Sequence, residues 1–393
     1  MLKDVKMRKS KYVFIYSIAL VFIITFNSFA ELGKVEYFNG LTPQTHVNKL
    51  YSDERKNELK QDIVNYSDIE DMIHLFNPEI LNNWNSWEND KSAEDIYDIY
   101  QSAADRLFDS AGTQDSMMQE DMMSAQGRAM QIQADKNVSD SYINFLSNYL
   151  AEKQLVLTTK ILDINYQKSA FELLNANEAI KESERNLTKA ENALKYGSGT
   201  QVELLTAKKA VADAKSSLIA AESAQKANKI KLILNCGKSA SDNIYITPID
   251  LSLDIDINAI NLTADFETAK NNNIQLEIYK RKIDNARTEE VKNEFTILYE
   301  AAPDKIYNDL ENKYRSILDA VDTNANRQVA LTLANDNLKK AKDEYEHGNI
   351  SVKEFLTVEY NLAVANNNVL AAQYDLKLAV ENYKNILDGY SNC

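Results

Sequence analysis

Glycine is scarce in this 393-residue chain, and two of its nine glycines lie in copies of one segment. Gly197 and Gly348 each follow a run containing Asn-Leu-x-Lys-Ala and precede Glu-x-Leu-Thr and an alanine-rich stretch. At an offset of 151, Asn186 matches Asn337, Lys189 matches Lys340, Glu203 matches Glu354, Leu205 matches Leu356, Thr206 matches Thr357, and Ala220 and Ala221 match Ala371 and Ala372. The repeat unit is a long helical hairpin reversed at its glycine. A hairpin with one apolar stripe has to bury it against its own copy or against another chain.

The punctuation fits elongated helices. Prolines occur only at 43, 78, 248 and 303, and neither Gly nor Pro interrupts Asp140 to Tyr196. That interval predicts a helix roughly 80 Å long. Leu173, Ala176, Ile180, Ser183, Leu187, Ala190 and Leu194 alternate spacings of three and four, the pattern of a coiled-coil seam. Ala207, Val211, Ala214, Leu218 and Ala221 continue it after Gly197. Leu331, Ala334, Leu338, Ala341 and Tyr345, then Val358, Leu362, Ala365, Val369, Ala372, Leu376 and Ala379, repeat it around Gly348. Gly237 and Gly389 mark the helix ends as left-handed caps.

Five basic side chains precede an apolar run from Tyr12 to Phe26, and Ser28-Phe29-Ala30 offers small residues before Glu31. This is the pattern of an export signal over residues 1–30, cleaved before Glu31; a retained anchor is the alternative. Residues 31–67 read as a poorly ordered lead-in. Residues 68–237 form the first hairpin unit, with an opening helix from Ser67 towards Ser110, kinked at Pro78, that carries Trp84 and Trp87 on one face. A turn follows near Gly112, then the methionines 117, 118, 122, 123 and 130, read as adaptable packing. Residues 238–262 form a connecting strap with a short strand near 244–257. The second unit, 263–390, opens with a helix to about Asn293, breaks near Ala301-Ala302-Pro303, and then ascends.

Net charge is −15, and the first 30 residues contribute +4, leaving −19 beyond them. Such acidity disfavours nucleic acid and anionic lipid as partners. Cys236 and Cys393 are either one disulfide or two thiols. His46, His74 and His347 are scattered, and there is no nucleophile elbow, phosphate loop or metal spacing. The sequence thus predicts no catalytic residues, no cofactor and no metal site.

Residues 65–390 resemble the TolC family of outer-membrane efflux ducts. The resemblance rests on the two turns with the acid and apolar residues after each, Gly197 with Glu203, Leu204 and Leu205, and Gly348 with Glu354, Phe355 and Leu356. It also rests on Asn77-Pro78-Glu79-Ile80 and on Asn272-Asn273-Ile274-Gln275-Leu276. The family more often has Asp at the acidic position. The resemblance implies an all-α protomer of two tandem antiparallel coiled-coil hairpins. It further implies a homotrimer closing into a hollow helical cylinder, whose tips meet a membrane-fusion adaptor and, through it, an inner-membrane pump of ABC or RND type. Family members insert two long β-strands per half, which would fall near 111–139 and 293–312. Neither region has the alternation of transmembrane strands, so a duct without a complete β-barrel is expected. The expected function is export of small molecules or peptides across the cell envelope; the alternative is a structural envelope coiled coil that kept the fold without transport. Glu203 and Glu354 are either acids lining the opening or first-turn acids favoured by the helix dipole. Leu204, Leu205, Phe355 and Leu356 are either core beneath the turns or an adaptor-docking surface, with Gly197 and Gly348 at its apex.

Overall fold

The structure is a computed structural model that describes residues 37–90, 96–114, 116–241 and 243–391; the signal over 1–30 and Cys393 lie outside them. The described residues 37–49 belong to one compact unit and those from 50 onward to another. In the first, a 3₁₀ turn at Phe38–Gly40 precedes a turn in which the hydroxyls of Thr42 and Thr45 each accept from the other's backbone N–H.

The second unit opens with α1 (Asp53–Leu59), whose first turn is capped by Ser52. A short strand β1 (Ile63–Val64) and a 3₁₀ turn (Tyr66–Asp68) follow. This part of the expected lead-in is therefore ordered. Leu59 and Val64 are buried, and Arg55 ties α1 to Asp68 and Asp71 at 2.8 and 2.9 Å. The order comes from local ion pairs and two buried side chains, too few to leave a periodic pattern in the sequence.

The expected single opening helix is divided at Asn77, where α2 (Ile69–Phe76) ends and α3 (Pro78–Asp90) begins; past residues 91–95, which lie outside the described residues, the chain is helical as α4 (Ile96–Ala111). Pro78 begins α3 rather than kinking a longer helix. Its missing N–H costs nothing at the first helical position, and the Asn77 side chain caps the turn by accepting from the N–H groups of Glu79 and Ile80. Then come α5 (Met117–Lys136), α6 (Ser141–Lys195) and α7 (Gln201–Asn235). After the connecting strap and its strand β2 (Tyr245–Ile246), the second half runs α8 (Leu262–Asn272), α9 (Ile274–Asn285), α10 (Glu289–Glu346) and α11 (Val352–Leu387). The expected break at Pro303 is absent. α10 passes through that proline, and the interruption lies at 286–288, where Thr288 caps the new helix. The helix tolerates one lost N–H because Ala302, Ile306 and Leu310 bury its face at that level.

The expected strand reduces to two residues: β2 pairs parallel with β1, Ile63 facing Tyr245. The segments where the TolC family inserts membrane strands are helical here, as α5 and the first part of α10. No helix among the described residues is long and apolar enough to cross a membrane.

The long helices form a slab in the order α7, α6, α11, α10. α6 and α11 run antiparallel, stitched by Lys168 to Asp375 at 2.7 Å, Asn175 to Asn368 at 3.1 Å and Thr357 to Glu182 at 3.3 Å. The predicted seam residues are buried or half-buried throughout, Tyr345 excepted. At the foot, Trp84 and Trp87 are core, packed on Phe145; their indoles donate to Glu152 and to the Ser141 carbonyl, both at 2.7 Å. α4 and α5 pack extensively on each other.

Candidate functional site: the paired hairpin tips

Each tip is built by backbone conformation first. α6 ends in a Schellman motif: Gly197 takes φ +74°, its N–H donates to the Leu194 carbonyl and that of Ser198 to Ala193. α10 ends identically, with Gly348 at φ +73° and bonds from Gly348 to Tyr345 and from Asn349 to Glu344. A side chain at either glycine would meet open space, so only backbone conformation demands glycine there.

The descending helices then start with reciprocal capping boxes. The Thr200 hydroxyl accepts from the Glu203 N–H at 3.2 Å, while the Glu203 carboxylate accepts from the Thr200 N–H at 2.7 Å. Ser351 and Glu354 repeat this at 3.3 and 2.8 Å. Both glutamates are fully exposed apart from these bonds. The bonds from the cap residues hold both carboxyls below the usual glutamate range, with Lys189 on α6 adding a smaller pull on Glu354. The two acids are therefore helix-start residues that also keep their charge at neutral pH.

The apolar tip residues divide. Leu204 is buried, and Leu205 is 57% exposed. Phe355 is half-buried and stacked on Tyr345 at 5.1 Å, and Leu356 is half-buried. Sequence reasoning missed Tyr196, Val202 and Val352, which are 76%, 72% and 54% exposed. Their signal was position: each flanks a glycine turn, where no core exists to bury it.

Both turns lie at one pole of the slab. The Thr357–Glu182 bond and the influence of Lys189 on Glu354 bring the start of α11 beside the upper part of α6, just before Gly197. No protein-family model and no curated protein matches this chain. Solved structures do. A membrane protein from Pseudomonas aeruginosa aligns at 12% identity and a TM-score of 0.52, over 82% of this chain and 93% of its own. CusC aligns at 11% identity and 0.51, over 89% of this chain and all of its own. The outer-membrane channel OprN aligns at 10% and 0.50, over 82% and 90%. CusC and OprN are TolC-family channels.

The chain has a TolC-like fold.

Two further features of this TolC-like slab concern assembly. Its edges are α7 and α10, which share no extensive contact within the chain. Both carry exposed apolar side chains, Ile219 at 63% on α7 and Val329 and Leu333 at 69% and 59% on α10. The three histidines do not gather at the tips. His347 is exposed beside its turn, His74 is in the foot core on Glu152 at 3.1 Å, and His46 belongs to the first compact unit. Cys236 caps α7 and is buried; burial pushes its thiol up to about 12.

Proposed function

We propose that this chain is the duct component of a tripartite export system. Three copies close edge to edge, α7 of one against α10 of the next, into a hollow helical cylinder in the cell envelope. The tips formed around Gly197 and Gly348 dock a membrane-fusion adaptor, which couples the duct to an inner-membrane pump of ABC or RND type. The cargo is a small molecule or peptide passing along the lumen. The carrying observation is the slab itself: two reversals at one pole between two edges that leave apolar side chains exposed.

At the tip, Leu205, Phe355 and Leu356, with Tyr196, Val202 and Val352 beside them, supply the adaptor contact, while Leu204 supports the turn from beneath. Glu203 and Glu354 bring six carboxylates to a trimeric opening and favour cations over anions there. The segments where the resemblance would put membrane strands are helical, as α5 and the first part of α10, so the chain works as a duct without contributing those strands.

The test is the oligomeric state of the chain from residue 31 onward, by light scattering with and without a cognate adaptor. A trimer, alone or with adaptor, supports the duct. A stable monomer or dimer that captures no adaptor favours a structural envelope coiled coil.

A further inference from the structure

Asp163, on α6, is fully buried, and one of its carboxyl oxygens has no hydrogen-bond partner. The other accepts from the Gln167 amide at 2.7 Å. That amide has a second task, because it grips the strap between the two hairpins. Its nitrogen also donates to the Thr247 carbonyl at 2.9 Å, and its oxygen accepts from the Ile249 N–H at 2.9 Å and from the Tyr374 hydroxyl at 3.3 Å. One side chain therefore links the buried acid, the strap backbone and α11. Ile249 seals the place by packing with Ile164 and Tyr374, with Tyr66 and Leu251 around them.

The groups facing Asp163 come from each surrounding element. They are Tyr166 on α6, Tyr66 from the 3₁₀ turn, Cys236 at the end of α7 and Tyr374 on α11. The nearby charges are spent elsewhere. Lys160 and Lys377 lie over the Tyr66 ring at 5.4 and 5.9 Å, Lys377 pairs with Glu381 and Asp254, and Lys238 acts on Cys236. Among the described residues no cation pairs with Asp163, and the nearby Tyr66 hydroxyl is itself buried without a hydrogen-bond partner. An ionised carboxylate here is an uncompensated buried charge.

We propose that Asp163 is a proton-controlled latch: protonated, it lets Gln167 hold residues 247–249 against α6 and α11, and ionised, it drives the strap to open so that water reaches the carboxylate. Burial raises its pKa from 3.8 to about 7, which places the transition in the neutral range. The closed strap binds the proton and the opened one gives it up. Closure is therefore strongest below the ordinary carboxylate pKa and weakens as pH rises towards about 7. A strap joining the two hairpins of each protomer is placed to change how they sit together.

Hydrogen exchange of the full chain between pH 5 and 8.5, corrected for intrinsic rates, tests this. Protection of the Thr247 and Ile249 amides, which donate to the Val64 carbonyl and the Gln167 side chain, is expected to fall about tenfold per pH unit up to near pH 7 and then level off. In Asp163→Asn the same amides are expected to stay protected across the range. Strap protection independent of pH in the wild type, or an unchanged pH dependence in Asp163→Asn, overturns the proposal. If that variant does not fold, the wild type decides alone. Loss confined to the strap while α6 stays protected supports the latch, and equal loss in both overturns it.

Discussion

Gly197, Gly237, Gly348 and Gly389 share one backbone conformation, with φ between +72° and +83°, and differ in what surrounds them. The two tip glycines face open space. At the foot, a Cβ on Gly237 would lie 2.2 Å from the Phe76 carbonyl oxygen, and one on Gly389 2.0 Å from that of Asn272. Each foot glycine lets a descending helix end against the opening helices of its own half. Asn77 and Asn272 fasten these contacts by donating to the Asn235 and Leu387 carbonyls at 2.9 and 3.1 Å. Alanine at Gly197 or Gly348 should cost about 1–2 kcal/mol, the strain of a left-handed residue. Alanine at Gly237 or Gly389 adds overpacking against rigid backbone and should cost about 3 kcal/mol or more. Urea midpoints at unchanged slope measure the difference; equal losses at tip and foot would refute it. The tip acids give a prediction with a sign. Their lowered pKa values mean that stability is present above the ordinary glutamate pKa and lost as pH falls through the folded value. The first turns of α7 and α11 should fray in acid, seen as faster exchange at the Glu203 and Glu354 amides, and Gln at both positions should remove that dependence. These capping boxes were legible as Thr-x-x-Glu and Ser-x-x-Glu. Asp163 was not, because an unpaired buried acid is a property of packing between distant segments.

At the scale of elements, the long helices were readable because nothing in their sequence could end them, and the seam positions because burial follows the three-four rhythm. Boundaries set by a single proline were less readable. Pro78 starts a helix and Pro303 sits within one, and the sequence alone treats both as interruptions. What separates them is the Asn77 cap in the first case and the packed face of α10 in the second. The α4–α5 hairpin is closed by its own packing, with the Phe108 ring where a side chain on residue 127 would stand. Its two ends are close, since Arg287 lies over the Tyr97 ring at 3.3 Å and donates to the Asn137 carbonyl at 3.3 Å. Replacing residues 96–136 with a short Gly-Ser linker should therefore leave the slab's thermal unfolding within a few degrees of wild type by circular dichroism, because shortening a surface loop changes closure entropy little. A collapse of the helical signal would show that the hairpin supports the slab.

At the scale of the whole molecule, the proposed duct joins the two edges to those of neighbouring copies, and an edge-to-edge contact that closes makes a ring. Glutamate at Ile219 and Val329 should abolish oligomers in light scattering while leaving the helical content of the chain unchanged, since neither side chain is in its core. Oligomers that persist would place the contacts elsewhere. Everything functional depends on both reversals sharing one pole. Spin labels on Ser198 and Asn349, with Cys236→Ala and Cys393→Ser removing the native thiols, report that directly when the labelled chain is diluted into unlabelled protein. Tips on neighbouring hairpins should give a distance of roughly 20–30 Å, a few interhelical spacings. A distance of about 80 Å, the length of α6, would put the turns at opposite ends and contradict the duct.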